Sequence, residues 1–230
     1  MRAVPVIDLM GGRVVRARMG DRASYQPLES PLSPTSDATD VVRGLLGIFP
    51  FQQLYVADLD AIQGYGDNSR TLRRIREEFP SLQMWVDNGA ADAGAIEALI
   101  SANLGTPVLG SESQRDSELI AQHQDSMRIV LSLDFRGDAF QGPREILAEP
   151  ALWPHRIIVM TLARVGSDAG PDLERFAAIR SIAGGREAYA AGGVRNARDL
   201  SALKASGASG ALISTALHER QIVRSDLEAM

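Results

Sequence analysis

The chain has 230 residues, 45% of them apolar, which suits one eight-stranded α/β barrel, although two ordinary domains would also fit. It contains no cysteine, so disulfides, thiolate metal sites and cysteine nucleophiles are excluded. The formal net charge of −5 argues against nucleic-acid binding, and no apolar stretch approaches the roughly 20 residues that a membrane span needs.

Strand patterns alternate with helix patterns along the chain. Apolar, β-branched runs predict strands near Ala3–Asp8, Leu54–Asp58, Gln83–Asp87, Pro107–Gly110, Arg128–Asp134, Ile157–Thr161, Glu187–Ala191 and Ala211–Ser214. Amphipathic spacing predicts helices near Asp40–Phe49, Thr71–Phe79, Ala91–Ile100, Ser117–His123, Leu173–Ile182 and Ala197–Ala205. Eight alternating strands predict a single (βα)8 barrel, a TIM barrel, over residues 1–230. The first strand begins without the long apolar region of a signal peptide, so a cytoplasmic protein is expected.

An internal repeat predicts that the barrel consists of two (βα)4 half-barrels, roughly 1–125 and 126–230. Shifted by 104 positions (189 minus 85), Trp85–Ser111 lies on Tyr189–Thr215 without a gap. Both segments show a strand, a glycine turn, a helix and a strand in the same order, which is stronger support than their few identities.

The segment 10–37 is the longest predicted loop. Asp8 and Asp134 end strands one and five, and they are 126 positions apart, which is 22 more than the repeat shift (126 minus 104). This segment, rich in Gly, Pro and Ser, accommodates the difference. It follows the C-terminal end of a strand, where active-site lids lie, so it is either a lid or a disordered surface insertion.

Two apolar strands end in aspartate, at Asp8 and Asp134. The carboxyl ends of barrel strands form the ligand-binding face, so both side chains are expected at one site, on opposite sides of a substrate. Burial or a second carboxylate would raise the pKa of such a group toward neutrality, which suits acid–base catalysis. The alternative is that each aspartate only caps the following turn.

Glycine turns after strands predict phosphate binding. Gly192 and Gly193 follow strand seven, and Ser214 and Thr215 follow strand eight at a helix start, where backbone amides hold anions. The equivalent first-half positions, which predict a second phosphate site, are Gly89, Gly110 and Ser111. We therefore expect a phosphorylated small-molecule substrate.

Other polar groups carry weaker signals. Asp58 and Asp60 follow strand two, and one of them is expected to face the mouth of the barrel. No metal motif appears, and none of the three histidines is placed like a catalytic group, so we predict neither a metal nor a cofactor. Whether the chain forms a homo-oligomer stays open.

In order along the chain, these motifs resemble the HisA/HisF family of histidine biosynthesis, and its isomerase branch in particular. The matching segments are 7–16 with 20–21, 56–61, 110–111, 132–134, 170–172 and 191–194. The resemblance covers almost the whole chain; its first motif is fairly specific, and the later ones are common to phosphate-binding barrels. It implies a duplicated (βα)8 barrel that binds a substrate with a phosphate at each end and converts an aminoaldose to an aminoketose.

The resemblance also implies residue roles. Asp8 would be the general base, Asp134 the second acid, which orients the substrate, and Thr161 the polar group that closes strand six. In the isomerase branch a general acid lies on the loop after strand six. Here that loop is one residue shorter, Val165 stands at the acid's position, and Asp168 follows three residues later.

These departures favour a paralogue on the same scaffold. It would isomerise a phosphorylated sugar-like or small aromatic metabolite by acid–base catalysis, or carry out related lyase chemistry. Isomerase-related proteins occur in organisms with folate-like one-carbon carriers, and this association points to cofactor biosynthesis. Two alternatives stay open: a histidine-pathway isomerase with Asp168 as a displaced general acid, and a non-catalytic subunit that binds a phosphorylated ligand.

Overall fold

The computed structural model describes all 230 residues and contains a closed barrel of eight parallel strands. They are β1 Arg2–Met10, β2 Gln53–Asp58, β3 Gln83–Asp87, β4 Thr106–Gly110, β5 Val130–Arg136, β6 Arg156–Thr161, β7 Glu187–Ala191 and β8 Gly210–Ile213. Each strand pairs with the next, and β8 pairs with β1 from Arg2↔Gly210 to Pro5↔Ile213, which closes the barrel. The predicted TIM-barrel fold is confirmed.

Helices connect the strands. They are Ala38–Ile48, Leu59–Gln63, Ser69–Glu78, Ala93–Ser101, Glu118–Ala121, Arg144–Ala148, Leu173–Ile182, Ala197–Ala205, Thr215–His218 and Arg224–Glu228. Several begin at an aspartate or asparagine whose side chain accepts a backbone N–H of the first turn, as Asp37, Asp92 and Asn196 do. None of these helices has the length and apolar character needed to cross a membrane.

Alternation along the strands separates two hydrophobic clusters. The inner cluster of 12 buried residues fills the barrel, and the outer cluster of 46 lies between the strands and the helices. In the inner cluster, Trp85 and Tyr189 pack edge to face with ring centroids 4.8 Å apart. They occupy matching positions of the predicted repeat, although the half-barrel duplication itself stays a prediction.

The register of β6 corrects one part of the repeat alignment. The shift of 104 places Ala57 on Thr161 (161 minus 57). Ala57 belongs to the inner cluster, but in β6 the residues on that side are Ile158 and Met160. Because successive strand residues face opposite sides, a slip of one residue turns Thr161 toward the helices.

The first loop is folded and extends over the mouth of the barrel. Arg13–Arg16 pairs antiparallel with β1, and Gln26–Pro27 pairs with Arg13–Arg16. The backbone N–H of Met19 donates to the carbonyl oxygen of Val165 at 2.8 Å, which joins the first loop to the loop after β6. Because the first loop is ordered, the structure favours an active-site lid over a disordered surface insertion.

Candidate active site at the barrel mouth

One cavity opens at the carboxyl ends of the strands. Strand ends, the first loop and the loops after β6, β7 and β8 form its wall. The predicted site residues that line it are Asp8, Asp134, Asp168, Gly192, Gly193, Ser214 and Thr215. The tertiary structure thus brings both strand-end aspartates to the same cavity as the second-half glycine turn.

Asp8 lies at the mouth end of β1, on the inward face that it shares with Val4 and Val6. Burial raises the pKa of its carboxyl from 3.8 to about 7; the attraction of Arg22 opposes the rise, and Asp87 adds to it. No hydrogen-bond donor is among the groups that act on this carboxyl. Asp8 is therefore a free carboxyl that changes protonation near neutral pH.

Asp134, at the mouth end of β5, is held in place by hydrogen bonds. The Ser132 hydroxyl donates to its Oδ1 at 2.6 Å, and the backbone N–H of Glu112 donates to its Oδ2 at 3.2 Å. Burial raises the pKa of Asp134 to about 7; the Ser132 bond opposes the rise, while Asp87 and Glu112 add to it. The expected rise in pKa is present at both aspartates, and the crowding carboxylate in each case is Asp87.

Asp87 at the end of β3 completes this group of acids, and the sequence prediction does not include it. Its Oδ2 accepts the Tyr55 hydroxyl at 3.1 Å, and its Oδ1 accepts the Gly89 N–H at 3.1 Å. Burial raises the pKa of Asp87 to about 6. The signal was available, because β3 is also an apolar run that ends in aspartate.

Two charged side chains from loops complete the acidic end of the mouth. Glu112, after β4, forms an ion pair with Arg22 of the first loop. The positive charge of Arg22 lowers the pKa of both Asp8 and Asp87, although burial outweighs it at each. The first loop therefore supplies a cation next to these carboxyl groups, and Arg136 at the end of β5 also lines the cavity.

The carboxyls of Asp58 and Asp60 accept hydrogen bonds from loop backbone N–H groups and from a side-chain amide. Neither residue lines the cavity. Asp58 accepts the backbone N–H of Asn68 at 2.7 Å, and Asp60 accepts that of Gly11 at 2.7 Å. The expectation that one of them faces the mouth is wrong, because Asp58 follows an inward-facing strand residue and so points outward. No group of three or more His, Cys, Asp or Glu side chains in the protein could hold a metal ion.

The turn after β7 presents unused backbone donors. Gly192 and Gly193 have φ values of +98° and +84°. A Cβ on Gly192 would lie 2.5 Å from the carbonyl oxygen of Thr161, and one on Gly193 would lie 2.3 Å from that of Gly170, so only glycine fits. The N–H groups of Gly193 and Val194 have no acceptor within the protein. Such a turn can hold an anion without a charged side chain.

Ser111, the repeat counterpart of Thr215, is fully buried and has its polar groups satisfied. Its hydroxyl donates to the carbonyl oxygen of Gln141 at 2.7 Å and accepts the backbone N–H of Asp134 at 2.9 Å. The backbone at Gly142 packs so closely that a Cβ there would lie 2.4 Å from the carbonyl oxygen of Ser111. An anion has no access to this hydroxyl.

The other two predicted first-half residues, Gly89 and Gly110, lie next to carboxyl groups. Gly89 donates its N–H to Asp87. A Cβ on Gly110 would lie 3.3 Å from Asp134 Oδ2 and 3.4 Å from Asp87 Oδ2, so two carboxyls flank that glycine. Gly89, Gly110 and Ser111 do not line the cavity, and the Gly89 N–H and the Ser111 hydroxyl are bonded within the protein, whereas the N–H of Ala90 in the same turn has no acceptor there. Phosphate binding by these three residues therefore stays a prediction.

The loop after β6 places its two predicted residues differently. Asp168 is exposed at the cavity rim with a φ of +54°, and its carbonyl oxygen accepts Nη1 of Arg195 at 3.1 Å. Thr161 is 4% exposed and does not line the cavity, where its neighbour Met160 lies instead. The expected role of Thr161 at the site is corrected, since strand alternation turns this side chain away.

The chain is similar to known proteins over almost its whole length. The profile of a family described as histidine biosynthesis protein matches residues 2–223. A Thermus thermophilus protein is 29% identical over 236 residues, covering 96% of each chain, and is named as the isomerase of an imidazole-4-carboxamide with phosphoribosyl groups. A Deinococcus radiodurans protein of the same name is 28% identical, covering 95% of this chain and 94% of its own. An uncharacterized Methanocaldococcus jannaschii protein is 26% identical with the same coverage.

Proposed function

This chain belongs to the histidine biosynthesis protein family, and we propose that it is an acid–base enzyme of the isomerase class that acts on a phosphorylated small molecule. The proposal rests on Asp8. Its carboxyl lines the cavity, has a pKa raised to about 7 and accepts no hydrogen bond from the protein. The same cavity contains a glycine turn with unused N–H groups. The names of its isomerase relatives support the same class of reaction.

Asp8 would act as the general base. A carboxylate whose pKa lies near the working pH is largely available as a base and still takes up a proton readily. In the proposed step, its oxygen removes a proton from the substrate carbon next to a carbonyl or imine group. The electron pair of that C–H bond then forms the double bond of an enol or enamine intermediate.

Asp134 would return a proton to the neighbouring atom and complete the isomerisation. Its pKa of about 7 leaves a protonated fraction at neutral pH, and the Ser132 and Glu112 donors fix its orientation. The proton that Asp8 gains and the one that Asp134 loses balance over the cycle through exchange with solvent. The phosphate would lie at Gly192 and Gly193, with Ser214 and Thr215 beside it.

We propose a paralogue of the histidine-pathway isomerase in preference to that enzyme itself. Val165 occupies the position that the resemblance implies for the general acid, and the Gly89 N–H and the Ser111 hydroxyl, two of the donors expected to hold a second phosphate, are bonded within the protein. One observation favours the alternative of a histidine-pathway enzyme: Asp168 lines the same cavity. Its rim position would then supply the displaced acid.

Solvent deuterium exchange tests the acid–base assignment without knowledge of the product. The protein is incubated in deuterated buffer with a panel of phosphorylated aldoses and aminoaldoses, including the relatives' imidazole-4-carboxamide, and label at carbon is measured by mass spectrometry. Exchange is expected with the wild type. It should be lost in Asp8→Asn and should persist in Asp21→Asn, which changes an exposed acid of the first loop. Exchange that survives Asp8→Asn would sink the assignment.

Complementation of an isomerase-deficient strain separates the paralogue from the histidine-pathway enzyme. No growth without histidine is expected from this chain. Growth that is lost in Asp168→Asn would establish the alternative. A chain that binds phosphorylated ligands yet shows no exchange with any of the panel would instead be a non-catalytic subunit.

A further inference from the structure

Strand pairing places Tyr25 of the first loop on the same face as Asp8. Asp8 pairs with Val15, and Val15 pairs in turn with Pro27. Paired residues share one face of a sheet, and so do residues two positions apart in extended chain. Tyr25 has extended backbone, with φ −69° and ψ 135°, and precedes Pro27 by two residues. Its side chain therefore extends over the inward face, toward Asp8.

The packing of Tyr25 agrees with this register. Its ring packs against the inner hydrophobic cluster, to which Val15 also belongs, and it lines the mouth cavity together with Asp8. Burial raises the pKa of the Tyr25 hydroxyl, and the negative charge of Asp8 raises it further. The phenol is therefore a neutral donor at neutral pH, and it faces the same space as the proposed base.

The hydroxyl of Tyr25 is free to donate to a ligand. The hydroxyls of Tyr55 and Tyr189 donate to carboxyls of the protein, whereas that of Tyr25 donates to no protein group. The buried side-chain polar atoms that lack a partner belong to Asn88 and His218, so the Tyr25 oxygen is open to the cavity.

The surroundings of the Tyr25 oxygen also direct its proton. The backbone N–H groups of Arg18 and Gly20 lower the pKa of this hydroxyl, so they lie on the side of its oxygen. Donors on that side favour a hydroxyl whose own O–H bond points the other way. The proton is thereby directed from the first loop into the cavity.

The charged donors of the cavity suit this position less well. Arg22 is already paired with Glu112, and Arg136 is not among the charges that act on Asp8. A further cation beside Asp8 would also lower the pKa of the proposed base. A neutral phenol can stabilise charge on the substrate without that effect.

We infer that Tyr25 is a further catalytic residue, whose hydroxyl donates a hydrogen bond to the substrate's carbonyl oxygen or imine nitrogen while Asp8 removes the proton from the adjacent carbon. The C–H electron pair forms the new carbon–carbon double bond, and the π pair of the carbonyl or imine moves to the oxygen or nitrogen. Tyr25 keeps its proton and stabilises this charge, as donors of an oxyanion hole do. The inference rests on the proposed function for the reaction and adds the group that stabilises its intermediate.

Hydroxamates test this role without a known substrate, because the hydroxamate group mimics a planar enediolate. The probes are ω-phosphonooxy-alkanohydroxamates and n-alkyl phosphates, each with two to six carbons, measured by isothermal titration calorimetry. The best hydroxamate is expected to bind the wild type at least tenfold more tightly than the alkyl phosphate of equal length. Tyr25→Phe should reduce this advantage at least fivefold and leave alkyl phosphate affinity unchanged within twofold.

A matched control and a melt separate the hydroxyl from the fold. Tyr65→Phe makes the same change at a side chain that is 82% exposed and outside the cavity, so it should keep the full advantage. Tyr25→Phe retains the packed ring and removes a hydroxyl that donates to no protein group, so its melting temperature should match the wild type.

Turnover provides a second readout. With any sugar phosphate of the exchange panel that incorporates deuterium, Tyr25→Phe should lower the maximal exchange rate by about 10²–10³-fold, the usual effect of removing one oxyanion-hole donor. Because the phenol does not titrate in this range, the pH values at which the rate falls should not move. A fall above pH 7 that disappears in Tyr25→Phe would instead make Tyr25 the proton donor and overturn the inference.

The outcomes distinguish this inference from the proposed function. Hydroxamates that bind no better than alkyl phosphates, or an advantage that Tyr25→Phe retains, would overturn the role of Tyr25 and leave Asp8 as the proposed base. If the wild type binds none of the phosphates and exchanges no proton, the proposed function itself is wrong and the inference falls with it.

Discussion

The turns after β3 and β4 and those after β7 and β8 are matching parts of the predicted repeat, yet they offer a ligand opposite things. At Gly193 the amide donor is free and the backbone is held in a form only glycine adopts. At Gly89 the donor ends on Asp87. Whether such a turn can bind phosphate depends on where its N–H groups point. The glycine pattern alone does not determine their direction.

The aspartates at the ends of β1 and β5 show a second contrast between the halves. Both have a pKa raised to about 7 by burial, but Asp134 accepts bonds from Ser132 and Glu112, whereas Asp8 accepts none. A hydrogen-bonded carboxyl keeps one orientation, whereas a carboxyl without hydrogen bonds can turn toward the proton that it removes. Four predictions test these two contrasts.

The largest effect is expected for turnover. Asp8→Asn removes the proposed base and should lower the rate of solvent deuterium incorporation by about 10²–10⁴-fold, the usual share of general acid–base catalysis. Asp134→Asn should also lower it; the fall in rate below pH 7 should remain because Asp8 still titrates, and the fall above pH 7 should weaken because the proposed acid is gone. A larger loss in Asp134→Asn than in Asp8→Asn would reverse the assigned roles.

The next largest effect should come from replacing the matching glycines of the two turns with alanine, which should destabilise the protein by different amounts. Gly193→Ala forces a left-handed residue against the carbonyl oxygen of Gly170 and should destabilise the protein by about 2–4 kcal/mol. Gly89→Ala, where a Cβ would lie 3.0 Å from Ile62 Cα, should cost about 1–2 kcal/mol. Urea unfolding measures both. Equal costs would mean that the turns are equally constrained.

The buried charge of Asp8 should make stability depend on pH. Its folded pKa of about 7 lies above the ordinary 3.8, so the folded state holds the proton more tightly and loses stability as pH rises from about 4 to 7. Asp8→Asn removes this cost and should stabilise the protein by about 1–3 kcal/mol at pH 8, with little change at pH 4. Thermal melts at the two pH values measure it, and a destabilised variant at pH 8 would contradict the pKa.

The smallest effects should distinguish the role of Thr215 from that of its repeat counterpart Ser111. Ser111→Ala leaves the Asp134 N–H and the Gln141 carbonyl unpaired and should cost about 1–3 kcal/mol of stability without change in phosphate affinity. Thr215→Ala should weaken inorganic phosphate binding by about 3–10-fold with stability unchanged within about 0.5 kcal/mol. If Ser111→Ala weakens phosphate binding instead, the first-half site is open after all.

Much of the fold follows from local pattern. The β-branched runs, their spacing and the helices between them predict eight parallel strands, because burial of both faces demands near-continuous apolar segments. Short helices such as Arg144–Ala148 have too little periodicity to be predicted. The order of the first loop depends on contacts such as Met19 with Val165, which lie far apart in the chain.

The sequence by itself determined the barrel, the carboxyls of Asp8 and Asp134 at its mouth and the glycine turn after β7, because each depends on neighbouring residues. Only the tertiary structure decided that Thr161 faces away from the cavity and that the Ser111 hydroxyl is buried against Gln141. Strand register sets which side chains meet, and a hydrogen bond between distant residues consumes a donor that the local pattern counts as free.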